Sequence, residues 1–377
     1  MKKTTKPTSS RTVSAVRAGI SSKSTHQNII IHRQASEIEM KKINWLWPDR
    51  IARGKITMLS GNPGLGKSQL IAYITGVITN SGTFADKTEC IGGNVIILSA
   101  EDDAADTIVP RLKAANANLT KVSIIESVQK NNKQDQQFNL STDISALEKF
   151  LLTYGDVAAI FIDPISAYLG DIDDHKNGQV RSVLSPLSKL AEKYQVAIIC
   201  ISHHNKSGSP EALLRVLGSI GFVAAARAAF AVMKDPDDEN RRYFLPLKNN
   251  IGNDKTGLVF YIEPVLVDDA IETSRIQWVD GAITKTADEI LRLQANPPKK
   301  TARDEAKEMM KELLSTGSKN SADVISMIQD AGYSLRTIER VKADLGVISK
   351  KIGFEEGWLW HLPKNPSNEH EDRQDSH

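Results

Sequence analysis

The sequence is poor in cysteine and in long apolar runs, and each shortage excludes a class of protein. Its 377 residues include two cysteines, Cys90 and Cys200. Two thiols so far apart cannot form the disulfide framework of a small secreted domain, so we expect both to be reduced and buried. No apolar run approaches the roughly 20 residues that span a bilayer, and the N-terminus lacks the apolar core of a signal peptide. These absences predict a cytoplasmic protein without membrane contact.

Net charge is also nearly absent, at +2, but the charge is unevenly distributed. Only basic charges precede the first acidic residue, Glu37, and they stand among many Ser and Thr residues: Lys2, Lys3, Lys6, Arg11, Arg17, Lys23 and Arg33. This composition predicts a disordered basic arm over residues 1–42. Two interpretations remain open, a solubilising tail or a contact to nucleic-acid phosphates that does not depend on base sequence.

Residues 43–280 alternate short apolar runs with helical stretches, which is typical of an α/β domain with a mostly parallel sheet. Several runs are near-continuous in Val and Ile, as expected for strands covered by helices on both faces. We predict strands at Ile56–Ser60, Asn94–Ser99, Ala158–Ile162, Val196–Ser202, Ala228–Met233, Arg242–Lys248 and Leu258–Ile262. Only turns separate the last three, so we expect antiparallel hairpins at that edge of the sheet.

A second, smaller domain follows. Residues 281–301 have the composition of a linker, and 364–377 that of a disordered tail. Between them, 302–363 show three helical segments ending near Leu314, Ala331 and Leu345, with Ser334 as an N-cap. Two short strands then frame a Gly-rich turn and contain Trp358 and Trp360, which we expect in the core of a wing. The pattern predicts a winged helix-turn-helix domain.

One segment has the form of a phosphate-binding loop. It fits G-x-x-x-x-G-K-[ST] and lies between an apolar strand and an amphipathic helix, the context this motif requires: Gly61, Asn62, Pro63, Gly64, Leu65, Gly66, Lys67 and Ser68. The glycines let backbone N–H groups surround the phosphates of ATP, and the helix N-terminus adds its positive dipole. We expect Lys67 on the β- and γ-phosphates and Ser68 on Mg²⁺.

A strand ending in a carboxylate supports the nucleotide site. Val157 to Asp163 is an apolar strand with its aspartate at the carboxyl end. An Asp in this place often caps a turn, but after a phosphate loop it is typical of the Walker B aspartate that holds the metal's water shell. We therefore predict Asp163 as the second magnesium residue.

The general base is expected in Ser99-Ala100-Glu101-Asp102-Asp103. Pro164 follows Asp163, so no glutamate stands next to the Walker B residue. Glu101 lies at the end of the next parallel strand, and such strand ends open onto one edge of the sheet. The alternative role is to cap the helix from Ala104. Because Asp102 or Asp103 can provide that cap, Glu101 is left to activate water.

Two adjacent histidines, His203 and His204, follow another buried strand. Either is able to bond the γ-phosphate and to move the next loop when that phosphate leaves. A zinc site is excluded because adjacent residues of a strand point to opposite faces and no cysteine–histidine cluster completes a ligand set.

The order of these motifs is similar to that of the RecA-fold ATPases of the plasmid RepA hexameric helicase type, and of related AAA-type ATPases of phages and mobile elements. Trp45-Leu46-Trp47-Pro48-Asp49-Arg50-Ile51 upstream and Lys248-Asn249-Asn250 downstream complete the resemblance, which covers about residues 43–265. It implies a RecA-like core, ATP and Mg²⁺ as cofactors, and active sites between the subunits of a homo-oligomer, expected to be a hexamer. In that family the glutamate corresponding to Glu101 is the base, and we favour His204 as the γ-phosphate sensor.

The same resemblance implies residues that act on the neighbouring subunit. Gly218 to Arg227 is similar to the stretch that carries the family's arginine finger, which makes Arg227 the candidate, and Lys248 corresponds to a second cation acting in trans. Arg227 pairing with a carboxylate, and Lys248 as a solvated strand end, remain open. The loop with Lys206 and Arg215 corresponds to the one that grips single-stranded DNA in a ring; it has no aromatic residue for base stacking.

The C-terminal domain departs from the compact plasmid helicases. Arg336 and Arg340 lie on its third predicted helix, which is suited to a DNA major groove, although winged helices also contact proteins. The sequence thus predicts a DNA-associated ATP-driven motor, a RepA-like replicative helicase of a mobile element. Two rivals remain, a RecA-type recombination or loading ATPase without unwinding, and an ATP-switched DNA-binding regulator. Translocation polarity and ring against filament are open.

Overall fold

The structure, a computed structural model, describes residues 32–129, 135–172, 176–203, 220–295, 301–351 and 357–363. His204, Lys206 and Arg215 lie outside these ranges, as do most of the predicted basic arm and the predicted C-terminal tail. The chain divides into two units, Met1–Lys42 and Ile43–His377. The described part of the first unit, 32–42, is exposed and contains one 3₁₀ turn, Ala35–Glu37.

The strands within the described ranges are β1 (Trp45–Trp47), β2 (Ile51–Ala52), β3 (Ile56–Gly61), β4 (Asn94–Ser99), β5 (Val122–Ile125), β6 (Val128–Gln129), β7 (Asp135–Gln136), β8 (Val157–Asp163), β9 (Ala197–His203), β10 (Ala228–Lys234), β11 (Arg241–Asn249), β12 (Gly257–Val267), β13 (Ile271–Ile283), β14 (Lys319–Asn320), β15 (Ile348–Lys351) and β16 (Trp358–His361).

The helices are α1 (Lys67–Thr79), α2 (Val109–Ala114), α3 (Ile144–Tyr154), α4 (Asn177–Tyr194), α5 (Ile220–Ala225), α6 (Ala287–Ala295), α7 (Ala302–Ser315), α8 (Ser321–Asp330) and α9 (Leu335–Asp344). An irregular helical turn, Ala104–Ile108, leads into α2, and 3₁₀ turns occupy Leu119–Lys121 and Ile165–Tyr168.

A nine-stranded sheet forms the centre of the molecule, in the order β13-β12-β11-β10-β3-β9-β8-β4-β5. The six strands from β10 to β5 are parallel, and the carboxyl ends of β3, β4, β8 and β9 meet at one edge. This confirms an α/β fold with a mostly parallel sheet, and each of the seven predicted strands is present. Successive residues of these strands face two buried layers because helices cover both sides of the sheet.

Antiparallel hairpins complete the sheet beyond β10, as predicted for β10, β11 and β12. The sequence prediction missed β13, which pairs with β12 along almost its whole length. Because only Leu258–Tyr261 of β12 pair with β11, the far part of the β12–β13 hairpin extends past the sheet as a two-stranded ribbon. The ribbon packs along α1 and α2.

Helices divide the core into two layers. On one face of the sheet, α1 buries Leu70, Ile74 and Ile78 against alternate residues of β3, β4, β8 and β9. On the other face, α3 and α4 bury Leu147, Val180, Leu184 and Leu187. Cys90 and Cys200 are free and buried, one in each layer, as the sequence predicted. No helix within the described ranges is both long and apolar enough to span a bilayer.

Helix α6 lies inside the range 281–301 that we predicted as linker. It follows the end of β13 and buries Ala287 and Ile290 against Met233, Tyr243 and Leu245 of β10 and β11. The Asn-Pro-Pro composition that favoured a linker belongs to 296–300, after the helix. Residues 281–295 are therefore part of the folded core.

Upstream of the phosphate loop, the short hairpin of β1 and β2 carries the Trp-Leu-Trp-Pro-Asp-Arg-Ile segment. Trp47 is completely buried and stacks on Phe84, with ring centroids 4.4 Å apart and planes inclined by 3°. Its indole N–H donates to Asp86 at 2.9 Å, and the Arg50 Nε lies 3.1 Å from the same carboxylate. This segment thus anchors the N-terminal end of the core rather than contributing to the site.

The C-terminal part has its own small core. Helices α7, α8 and α9 pack around Met310, Ile328, Ile338 and Val341, and a three-stranded sheet in the order β14-β16-β15 adds the buried Trp360. Ser334 caps α9 by accepting from the Thr337 N–H, as predicted.

Trp358, which we expected in the core of the wing, is 49% exposed. It shares a face of β16 with Trp360, because the two residues are two positions apart. Trp358 begins the strand, however, opposite Lys351 at the end of β15, whereas Trp360 pairs with both β14 and β15. The tryptophan between two neighbouring strands is enclosed, and the one at the end of the hairpin is not.

Candidate active site

The phosphate loop joins the end of β3 to the start of α1. Two of its glycines are required by their surroundings. A Cβ on Gly61 would lie 2.6 Å from the carbonyl oxygen of Val232, and Gly66 has a φ of +92°, a conformation that L side chains rarely adopt. The loop is therefore held in a shape that leaves its backbone open to a ligand at the helix N-terminus, where phosphate groups bind.

Lys67 points back into this loop and is 5% exposed. Its ammonium donates to the carbonyl oxygens of Gly61 at 2.9 Å and Asn62 at 3.0 Å, and its Nζ lies 3.3 Å from Nδ1 of His203. Burial lowers the pKa of Lys67, while the carboxylates of Asp163 and Glu101 oppose that shift. A buried cation with acidic neighbours is suited to an anionic ligand such as a phosphate.

Ser68 and Asp163 meet at the start of α1. The Ser68 hydroxyl donates to Oδ2 of Asp163 at 3.0 Å, and Asp163 is 8% exposed. Burial raises the pKa of Asp163, although the Ser68 hydrogen bond and the Lys67 cation oppose the shift. A hydroxyl and a carboxylate at the end of the phosphate loop are hard oxygen donors, the set that Mg²⁺ prefers when phosphates and water complete its octahedron. The residues fit a magnesium site.

Glu101 follows β4 at the same edge, with its side chain 59% exposed. The helical turn after it is capped by Asp103, whose carboxylate accepts from the N–H groups of Ala105 at 2.7 Å and Asp106 at 3.1 Å. Asp102 is also engaged, with Arg111 Nη1 2.6 Å away. Because the neighbouring carboxylates hold these contacts, Glu101 is available at the mouth of the site.

His203 connects the two halves of the site. Its Nε2 lies 3.4 Å from the Glu101 carboxylate, while Nδ1 faces Lys67. Alternation along β9 places His203 on the same face as Ile199 and Ile201, which pack in the α1 layer. The histidine that the structure brings to the phosphate loop is thus His203, whereas the sequence argument favoured His204, which lies outside the described residues.

Arg227 and Lys248 lie at the opposite edge of the sheet. Arg227 is exposed and directly precedes β10, whose first residue pairs with Thr57 near the start of β3. Lys248 donates to the Ala226 carbonyl oxygen at 3.1 Å, and burial together with the Arg227 cation lowers its pKa. The phosphate loop begins four residues beyond Thr57, about 13 Å along the strand at roughly 3.3 Å per residue. These two cations therefore do not line the phosphate site of their own chain.

Further side chains line the cleft that were not singled out from the sequence. The cleft encloses about 370 Å³, and besides the phosphate loop its walls include Gln69, Asp102, Arg111, Ile262 and Ser274. The last two belong to the β12–β13 ribbon. No motif marks these positions, because they come from a helix and a hairpin that meet the loop only in the folded sheet.

Comparison with known families agrees with this geometry. A family model of the AAA domain matches residues 24–209. The matched range includes the phosphate loop, Glu101, Asp163 and His203, and ends before Arg227. With the mostly parallel sheet, it identifies an ATPase core of the RecA-like P-loop type.

Individual relatives match over part of the chain. DNA repair protein RadA of Chlamydia pneumoniae is 25% identical over 206 residues, which are 52% of this chain and 40% of that protein. RadA of Chlamydia muridarum is 27% identical over 155 residues, 41% of this chain and 29% of that protein. The chain thus spans two fifths or less of the length of these relatives. Among solved structures, the ATPase domain of a helicase aligns with a TM-score of 0.42 and 12% identity, over 60% of this chain and 85% of that one.

Proposed function

We propose that this protein is an ATP-hydrolysing, DNA-associated oligomeric motor that acts as a RepA-like replicative DNA helicase of a mobile element. The observation that supports the proposal is the placement of its charges. Lys67, Glu101, Asp163 and His203 gather at one edge of the sheet, whereas Arg227 and Lys248 lie at the other. Such a chain completes its site only when a second copy brings its far edge to the first.

Hydrolysis begins with the phosphates in the loop. Lys67 exchanges its carbonyl acceptors for β- and γ-phosphate oxygens, and Ser68 and Asp163 hold Mg²⁺, which neutralises charge on those oxygens. Glu101, at the mouth of the cleft, orients a water and accepts its proton as the water attacks the γ-phosphorus. Arg227 and Lys248 of the next subunit stabilise the charge that develops on the transferred group.

His203 is the proposed γ-phosphate sensor. It contacts both the cation that binds the phosphates and the carboxylate that activates water, so a γ-phosphate entering between them changes both contacts at once. The chain continues directly from His203 into the segment with Lys206 and Arg215. We propose that this segment binds single-stranded DNA through its charges, and that phosphate release is transmitted to it.

The C-terminal part is the proposed second DNA contact, as a winged helix-turn-helix. Arg336 and Arg340 are exposed on α9, whereas the Lys342 ammonium lies over the Trp360 ring, 4.5 Å from its centroid. The two arginines are therefore the cations of α9 that face solvent and suit phosphates or base edges of duplex DNA.

The first experiment is steady-state ATP hydrolysis without DNA, with single-stranded DNA and with duplex DNA, using Lys67→Ala as the blank. We expect strong stimulation by single strands. Turnover that does not respond to single strands, or that responds to one particular duplex, would replace the motor by an ATP-switched DNA-binding regulator.

The RadA likeness favours a second candidate, a RecA-type recombination or loading ATPase that does not unwind DNA. Strand displacement on a forked duplex separates the two. The helicase releases the labelled strand with ATP and Mg²⁺ and fails with Glu101→Gln. Single-strand-stimulated hydrolysis without displacement on either fork polarity would favour the second candidate.

A further inference from the structure

The nucleotide cleft extends past the phosphate loop toward the β12–β13 ribbon. Lys67 and Ser68 fix where the phosphates lie, so the nucleoside occupies the part of the cleft bounded by α2 and the ribbon. Ile262 presents an apolar side chain there, close enough to the loop that a Cβ on Gly66 would meet its Cδ1 at 2.5 Å. Across the same cleft stands Arg111 of α2.

Arg111 is held in the plane of its guanidinium by two partners. Nη1 donates to Oδ2 of Asp102 at 2.6 Å. Nε donates to the Gln69 side-chain oxygen at 3.0 Å when that amide has the orientation that satisfies both of its ends, with its nitrogen on the Ser274 carbonyl oxygen at 2.8 Å. We adopt this orientation because the opposite one turns the Gln69 nitrogen toward the Arg111 donor.

This bonding uses the edges of the polar side chains and leaves a face. Gln69 and Ser274 satisfy each other, and Asp102 is paired with Arg111. The Arg111 side chain remains 28% exposed, and its flat face is the surface that a paired arginine has left. Planar guanidinium groups stack on aromatic rings, and every nucleobase has a π face.

We propose that the base of the bound nucleotide stacks on the Arg111 guanidinium, and that the site reads the face of the base rather than its hydrogen-bonding edge. The proposal rests on the proposed function as a nucleotide hydrolase. Because the polar side chains that line this part of the cleft bond one another, purine triphosphates with different edges bind alike. Arg111 is then a nucleoside-binding residue, with Asp102 and Gln69 as the residues that position it.

The test compares ligands with and without a base. Calorimetry with Mg²⁺ measures binding of the non-hydrolysable ATP and GTP analogues AMP-PNP and GMP-PNP, and of inorganic tripolyphosphate, to the full chain. We expect the two analogues to bind within about fivefold of each other. Arg111→Lys keeps the charge beside Asp102 but loses the flat face, so it weakens both analogues by about tenfold, in line with a desolvated cation–π contact, and leaves tripolyphosphate unchanged.

Two further variants complete the design. Gln69→Ala frees one end of the guanidinium and is expected to weaken AMP-PNP by a smaller factor, again without affecting tripolyphosphate. Arg181→Lys, on the exposed side of α4, is the matched control and changes none of the three ligands. Because tripolyphosphate needs only the loop, its binding also shows that each variant is folded.

Two outcomes would overturn the proposal. Equal weakening of tripolyphosphate and AMP-PNP by Arg111→Lys would make Arg111 a phosphate or structural residue. A preference between the two analogues of more than about a hundredfold would show that an edge is read. Failure of wild-type protein to bind any of the three ligands would instead reject the proposed function itself.

Discussion

Several charged residues of this protein are buried beside partners of opposite charge, and their roles differ with the ligand that each pair excludes or admits. Lys67 and Asp163 face a cleft that a nucleotide can enter. Arg50 and Asp86 face the interior, where the Arg50 guanidinium also lies 5.4 Å from the Trp47 ring centroid. We therefore expect changes at the first pair to affect binding and changes at the second to affect stability.

The role of Glu101 is tested by Glu101→Gln. We expect hydrolysis to fall by about 10²–10⁴-fold, because the amide cannot accept the proton of the attacking water, while nucleotide binding is retained. Asp103→Asn is the matched control, since asparagine also caps a helical turn and should preserve turnover. Comparable losses in the two variants would mean that the segment, not the Glu101 carboxylate, limits catalysis.

The Arg50–Asp86 pair makes stability depend on pH. Burial tends to raise the pKa of Asp86, but hydrogen bonds from Thr88 and Trp47 and the Arg50 cation outweigh it, so the pKa lies below its ordinary value of 3.8. The contribution to stability is therefore complete above the ordinary pKa and is lost as pH falls through the lower folded-state value. Asp86→Asn should cost about 2–4 kcal/mol at neutral pH and progressively less below about pH 4, measured by urea unfolding.

The matched control for that measurement is Asp280→Asn. Asp280 pairs with Lys87 at 3.1 Å, but both side chains are largely exposed, so its loss should leave the unfolding free energy unchanged. A wild-type to Asp86→Asn difference that is the same at acidic and at neutral pH would contradict the assignment of the ionised carboxylate.

Among single residues, the sequence identified those that belong to local motifs. Lys67, Ser68 and Asp163 are marked by spacing, and Asp103 took the capping role that left Glu101 open. The choice between His203 and His204 depended on which face of β9 meets α1, a property of the packed sheet. Arg111 and Ser274 join the cleft from a helix and a ribbon distant in sequence, so no local pattern marks them.

At the scale of elements, two glycines of similar helical context differ in what surrounds them. A Cβ on Gly76 of α1 would overlap the backbone carbonyl oxygen of Ala115, at the end of α2. A Cβ on Gly178 of α4 would meet nothing within 4 Å. The close approach of α1 to α2 thus requires a glycine at one site, whereas the other glycine only adds freedom to the unfolded chain.

Alanine substitutions should therefore have opposite signs. Gly76→Ala is expected to lower the unfolding free energy by about 1–3 kcal/mol through overpacking, although alanine is the better helix former. Gly178→Ala is expected to raise it by about 0.5 kcal/mol. Denaturant unfolding of both variants is the measurement, and stabilisation by Gly76→Ala would show that α1 and α2 are farther apart than described.

The elements missed from the sequence share a cause. Strand β13 is mostly exposed and pairs only with β12, so no buried alternation marks it. Helix α6 has two buried residues and was hidden by the Pro-rich segment that follows it. The buried parallel strands were predictable because both of their faces are apolar, and the pattern does not depend on which helix covers them.

At the scale of the whole molecule, the separation of Arg227 from the phosphate loop predicts complementation between inactive subunits. Arg227→Ala and Lys67→Ala should each abolish hydrolysis. When the two are mixed, some interfaces pair an intact phosphate loop with an intact arginine, so ATPase activity should return to a fraction of the wild-type level. Mixed assemblies that form, as shown by gel filtration with ATP and Mg²⁺, but remain inactive would place the role of Arg227 elsewhere.

The positions of the two edges also set how many complete sites an assembly holds. A subunit that offers a phosphate loop at one edge and Arg227 and Lys248 at the other has a head and a tail, so contacts between copies are heterologous. An open row of such subunits contains one complete site fewer than it has subunits, because the last phosphate loop meets no neighbour. A closed ring contains as many sites as subunits. Turnover per subunit then becomes a measure of closure, lowest for dimers and constant once the ends have met.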